Sequence, residues 1–197
     1  GVFNEAIDEE LITANPSAGI LKTILPPKNQ RDLKLPDPFT LKERDRFLAR
    51  AATVASPAGV MLLKVMAFAG LRLGEALALR DRHFNREERT YFVAEGYKNY
   101  RFGRPKAGKN RLVDLPDFLV TELDEFARRQ RKEALKTGRV GMVDLMFPDP
   151  QEGYRWPYSQ RKIQTLMKRV CKTAKLRIRN PHDLRHTYAS ILLMAHE

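Results

Sequence analysis

The sequence predicts a mainly α-helical domain with a small antiparallel β-sheet, an α+β arrangement. Apolar residues recur at helical spacing through most of the chain. Several helix starts carry capping signals. The β-branched and aromatic runs suited to strands lie near the middle. Val2, Phe3, Ala6, Ile7 and Leu11 have helical spacing, and Asn15-Pro16 ends that helix. Residues 1–22 therefore read as the tail of an upstream helical domain. Residues 23–38 hold Pro26, Pro27, Pro36 and Pro38 among charges, which predicts an extended linker. Residues 39–197 form the main domain. Thr40 and Glu43 make a capping box with Phe39 as the staple before it, opening a helix to about Ala52. Ser56-Pro57 caps the next helix, and its body from Val60 to Ala69 is apolar nearly all round, which suits a buried helix. Gly70 breaks it, and one or two helical turns follow from Arg72 to Leu79. Thr90–Val93 and Arg111–Leu115 read as strands of a hairpin or small sheet with a long basic connection. Pro116-Asp117 caps a helix to about Lys136, Leu145–Phe147 is a short apolar patch, Ser159 caps a helix to about Lys175, and Pro181 begins the last helix.

Charge and composition narrow the function. The chain carries 36 Lys and Arg against 24 Asp and Glu, a net charge of +12. A domain this basic is expected to meet a polyanion, with nucleic acid first and a merely basic, solvated surface second. One cysteine, Cys171, excludes an internal disulfide and a cysteine metal cage. No apolar run reaches membrane-span length and no signal peptide is read, so a cytoplasmic protein is expected. Both ends, from Gly1 and to Glu197, fall in helical sequence without start or stop signals, which predicts a segment of a longer protein.

Two segments carry the chemistry: Ala69-Gly-Leu-Arg72-Leu-Gly-Glu75 and Pro181-His182-Asp-Leu-Arg185-His186-Thr-Tyr188. Each sets an arginine in an apolar helical pattern, where an unpaired charge costs several kcal/mol. Both then need an anion, and guanidinium forks fit phosphate oxygens. Glu75 is placed to face Arg72 or to hold a backbone group; a plain surface pair contributes only about 0.3–0.5 kcal/mol. His182 and Arg185, three apart, share a helical face. Lys98, Arg101, Arg104 and Lys109 in the basic connection are candidate DNA contacts. His182 and His186 also stand at the spacing of a zinc-protease helix, with Asp183 where the base is usually Glu. Against a zinc hydrolase stand the fixed charge of Arg185 beside the metal, the short Asp183 and the unexplained net charge. No metal is expected.

The two segments resemble the two arginine boxes of the tyrosine recombinases, the phage-integrase family, over about residues 39–197. The second box reads His182-Asp183-Leu184-Arg185, and Glu9–Pro16 echoes the end of the family's helical core-binding domain. The resemblance implies a DNA breaking-rejoining catalytic-domain fold and site-specific recombination or integration, by strand cleavage and rejoining through a phosphotyrosyl link. It implies catalytic roles for Arg72, Lys106, His182 and Arg185. Lys106 is matched by counting back from Arg111–Leu115, with Lys109 the runner-up. It implies double-stranded DNA as partner, a parent tetramer on DNA, a phage or mobile-element setting, a nucleoid-associated location, and no metal or nucleotide cofactor. The family's tyrosine lies downstream of the second box. Residues 186–197 hold no match, and Tyr188 stands where the family has a packing aromatic. The chain is therefore expected to bind DNA without cleaving it. The alternative is a catalytically inactive DNA-binding regulatory remnant.

Overall fold

The capping box at Thr40 forms as expected: Thr40 Oγ1 accepts from Glu43 N at 3.2 Å, and Glu43 Oε2 accepts from Thr40 N at 2.9 Å. It opens α1, Leu41–Val54, in a computed structural model that describes residues 6, 7, 9–14, 16, 36–105, 110–136, 138 and 144–195. These belong to two units, Gly1–Leu35 and Pro36–Glu197. In the first, Ala6 and Ile7 are helical; Leu11 N donates to Ala6 O at 2.8 Å and Glu10 takes φ 58°, closing the helix before the Asn15-Pro16 stop. Most of the expected linker, residues 23–38, lies outside the described residues.

The second unit is built round α2, Pro57–Ala69. Ser56 accepts from Gly59 N, Pro57 sets the first turn, and Gly70 at φ 60° ends it. A helix with apolar residues on every side must be surrounded. Leu62, Leu63 and Met66 are fully buried, and α2 packs against α1, the short α3 (Leu73–Leu77) and two later helices. Then come β1 (Phe84–Asn85), β2 (Thr90–Val93), β3 (Gly96–Lys98), β4 (Arg101–Gly103) and β5 (Arg111–Asp114). β1, β2 and β5 form an antiparallel sheet in that order, with Tyr91 opposite Val113 and Val93 opposite Arg111. The basic connection is not a plain loop: β3 and β4 pair as a separate hairpin. Its tight turn places both Asn99 (φ 50°) and Tyr100 (φ 59°) in the left-handed region, the backbone of a primed hairpin turn. Helices α4 (Asp117–Lys136), α5 (Gln160–Thr173) and α6 (Pro181–Ala195) complete the unit.

Two long-range ties fix α6. Phe39 N donates to Thr187 Oγ1 at 2.8 Å, and that hydroxyl donates to Asp183 O at 2.8 Å. Arg179, just before α6, has no exposed side-chain surface and bonds Asp37 O at 2.9 Å and Glu43 Oε2 at 3.1 Å. Its Nη1 lacks a hydrogen-bond partner, but the guanidinium lies 4.4 Å from the Phe39 ring centroid, a cation–π contact. Among the described residues the fully buried arginine is thus Arg179, while Arg72 and Arg185 are half-exposed. Helical periodicity alone marks those two as interior, because it does not register that both stand at the edge of the core.

Replacing Thr187 by Val keeps the shape and leaves the buried Phe39 N–H without a partner, so we expect a stability loss of about 1–3 kcal/mol. Urea midpoints measure it. A change below about 0.5 kcal/mol refutes the role given to this hydroxyl.

Candidate active site

Glu75 is the hub of the site. Arg72 sits at the N-cap of α3 with extended backbone (φ −68°, ψ 151°), and Glu75 caps that N-terminal N–H as well as pairing with the guanidinium, so the contact is more than a surface pair. Arg72 N donates to Glu75 Oε2 at 2.9 Å and Arg72 Nη1 to Oε1 at 3.0 Å. Arg111, at the start of β5, adds a two-pronged fork: Nη1 to Oε1 at 3.0 Å and Nη2 to Oε2 at 2.7 Å. Glu75 is only 4% exposed. Burial pushes its carboxyl up, but the bonds from Arg111 and Arg72 outweigh burial and hold it at about 2.

Sequence reasoning missed Arg111, which stands there as one cation among several in the basic connection. The strand alternation carries the signal. Arg111 shares the inward parity of half-buried Val113, while apolar Leu112 is 66% exposed.

Arg185 joins from α6. Its Nη1 donates to Gly70 O at the turn between α2 and α3. Gly70 is required twice over. Its φ is +60°, and a Cβ there would stand 2.2 Å from the Tyr188 ring, which packs directly on it. Burial lowers the Arg185 pKa first, then repulsion from Arg72 and Arg111, with Glu75 opposing. Arg111, Arg185 and Tyr188 together line a cavity of about 310 Å³. Two guanidiniums therefore share one carboxylate, and Arg185 is bonded to the Gly70 carbonyl instead.

His182 lies on the same helix and is exposed. Desolvation lowers its imidazole pKa first, then the charges of His186 and Arg185 and, more weakly, Arg72, with Asp183 opposing. The start of helix α6 is held by a reciprocal cap: Asn180 Oδ1 accepts from His182 N at 2.8 Å and Asp183 Oδ2 accepts from Asn180 N at 2.8 Å. Asp183 is thus a capping group, not a base. His186 stands edge-on to the His182 ring, 4.6 Å between centroids. Among the described residues no group of three or more metal-ligand side chains includes this pair.

The structure brings Arg72, His182 and Arg185 together. Lys98, Arg101 and Arg104 are exposed on the β3–β4 hairpin and beside it, and line a cavity with Arg72. Lys106 and Lys109 lie outside the described residues.

Residues 39–196 match the phage integrase family. The chain belongs to that family. It is 30% identical to the tyrosine recombinase XerC of Natranaerobius thermophilus over 98% of this chain and 59% of that protein. It is 27% identical to a XerC-like tyrosine recombinase of Caldanaerobacter subterraneus subsp. tengcongensis over 96% of this chain and 52% of that protein. The chain thus spans little more than half of these curated relatives. A transposon Tn1549 integrase solved in complex with transposon right end DNA has the same fold, with TM-score 0.67, 17% identity, and coverage of 99% of this chain and 64% of that one. The mainly helical domain with a small antiparallel sheet is the tyrosine recombinase catalytic-domain fold.

Glu75 has a lowered pKa, so its stabilisation is full above 4.5 and fades as pH falls from there toward about 2. Glu75→Gln should therefore cost about 3 kcal/mol at pH 7, with the gap to the parent chain closing in acid; a pH-independent gap in urea midpoints contradicts the pairing. His182 has a pKa below 6.5, so it is neutral at pH 7 and costs stability as pH drops through its own value. NMR titration should place it below 6.5, and Arg185→Ala should raise it; no upward movement would show that the two side chains do not sense each other.

Proposed function

We propose that this chain is the phosphate-binding core of a site-specific DNA recombinase. It grips double-stranded DNA at the bond to be cut, with Arg72 and Arg185 as catalytic donors to the phosphate oxygens and Arg111 positioning Arg72 through Glu75. One observation carries this reading: Arg72 and Arg111 both bond one buried carboxylate, and Arg185, bonded to Gly70 O, adds a further positive charge beside them. Phosphoryl transfer needs positioned charge more than covalent help from the protein, and preorganised guanidiniums supply it without a metal. His182, neutral at pH 7, offers one donor and one acceptor nitrogen to the same phosphate. Lys106 is proposed as the proton donor to the leaving oxygen, and Lys98, Arg101, Arg104 and Lys109 as contacts to the flanking backbone. Membership of the phage integrase family and the DNA-bound fold relative support DNA as the partner. Among the described residues, no helix is long and apolar enough to cross a membrane.

We further propose that the chain binds DNA without cutting it, as a recombinase segment or as a non-catalytic DNA-binding module. Tyr188 lines the cavity of Arg111 and Arg185, yet its ring is packed on Gly70 as part of the core's edge.

Fluorescence anisotropy with a labelled duplex tests binding. Affinity should fall steeply with salt. Arg72→Ala with Arg185→Ala should reduce the slope of log K against log salt by about one for each phosphate that is no longer neutralised. Absence of duplex binding at low salt overturns the proposal. A covalent adduct on a nicked suicide substrate overturns the second part alone.

A further inference from the structure

We infer that the β3–β4 hairpin and Trp156 form a subsite for one unpaired nucleotide of DNA, beside the arginine cluster. This rests on the DNA-binding reading above and adds a site to it. Tyr97, Phe102 and Trp156 are layered: Trp156 stacks on Phe102 with centroids 6.3 Å apart and planes at 21°, and on Tyr97 at 6.3 Å and 28°. Tyr100 stands edge-on to Trp156 at 6.3 Å. A cluster serving only to close the hairpin would be covered. Here Tyr100 is 57% exposed and Trp156 36%. Tyr100 also occupies the left-handed region at φ 59°, a conformation that costs a non-glycine residue about 1–2 kcal/mol. The chain thus holds an aromatic ring in solvent by a strained turn.

The cations lie on the same hairpin. Lys98, Arg101 and Arg104 are exposed, and among the described residues none has an acidic partner. With Arg72, Tyr97 and Phe102 they line a cavity of about 480 Å³, within the range of sites that enclose a small ligand. Glu75 is the carboxylate in its wall and is already engaged by Arg72 and Arg111. Glycines bring the hairpin this close: a Cβ on Gly74 would stand 3.0 Å from Tyr97 O, so α3 and β3 meet backbone to backbone.

Aromatic faces combined with a basic groove are how proteins hold single-stranded nucleic acid. Inside a duplex the base faces are covered by neighbouring bases. Only an unpaired nucleotide presents a ring face to the exposed Tyr100 and Trp156 and a phosphate to Arg101 and Arg104 at once. The subsite therefore selects DNA that is locally opened next to the gripped phosphate.

The test uses the 197-residue chain with a fully paired duplex and the same duplex carrying a short oligothymidine gap. Trp156 is the single tryptophan, so its emission reports on this cluster alone. We expect the gapped duplex to bind about tenfold tighter and to quench Trp156, while the paired duplex binds without quenching. Phe102→Leu takes away the ring on which Trp156 stacks, and should remove the preference while leaving paired-duplex binding in place. Tyr100→Ala, at an exposed turn, gives the same readout if Phe102→Leu unfolds the hairpin. Equal affinities with unchanged emission overturn the subsite and leave the DNA-binding reading standing. Failure to bind either duplex removes that reading, and the subsite falls with it.

Discussion

A single buried carboxylate organises this molecule. Glu75 accepts from the backbone and side chain of Arg72 and from both prongs of Arg111, and these bonds outweigh the cost of burying it. The consequence is geometric before it is chemical. Arg72 belongs to the turn after α2, Arg111 to β5, and both are fixed to one point between helix and sheet. Without Glu75 the two guanidiniums, with Arg185 beside them, would repel one another. With it, the surplus charge is held in place at a partly open surface, where an anion replaces the missing counter-charge.

That arrangement depends on where α6 sits, since α6 contributes Arg185 and His182. Nothing local to α6 determines its position. Arg179 and Thr187 bind the segment Asp37–Phe39 and Glu43, more than 130 residues away in sequence, and Tyr188 seats on the bare Cα of Gly70. The all-apolar α2 supplies the surface against which these contacts close. Core packing thus sets the distances among the arginines, and the site inherits its rigidity from residues that never touch a ligand.

Much of this is legible in the sequence, for physical reasons that differ by element. The starts of α1, α2 and α5 are written in capping residues, because an N-cap satisfies orphan N–H groups within three residues of itself. The arginines Arg72 and Arg185 stand out as charges in apolar company. Arg111 does not, because in a four-residue strand with arginine and leucine side by side, composition points the leucine inward while the register points the arginine. The β3–β4 hairpin is hidden because its turn is Asn99-Tyr100, with tyrosine where glycine announces such a turn. Arg179 is hidden because its carboxylates come from the far end of the domain, and no local pattern records a partner so distant.

Arg72 is the residue at which the two halves of the surface meet. Its backbone and one guanidinium nitrogen are committed to Glu75, and its side chain also lines the hairpin cavity. Any nucleotide held by this hairpin therefore shares a wall with the phosphate grip itself. An α3 without a side chain at Gly74 is what allows that proximity. A Cβ there would stand 3.0 Å from Tyr97 O, so the hairpin backbone would have to shift. The small residue between Arg72 and Glu75 thus serves the distance between two surfaces as well as the turn it occupies.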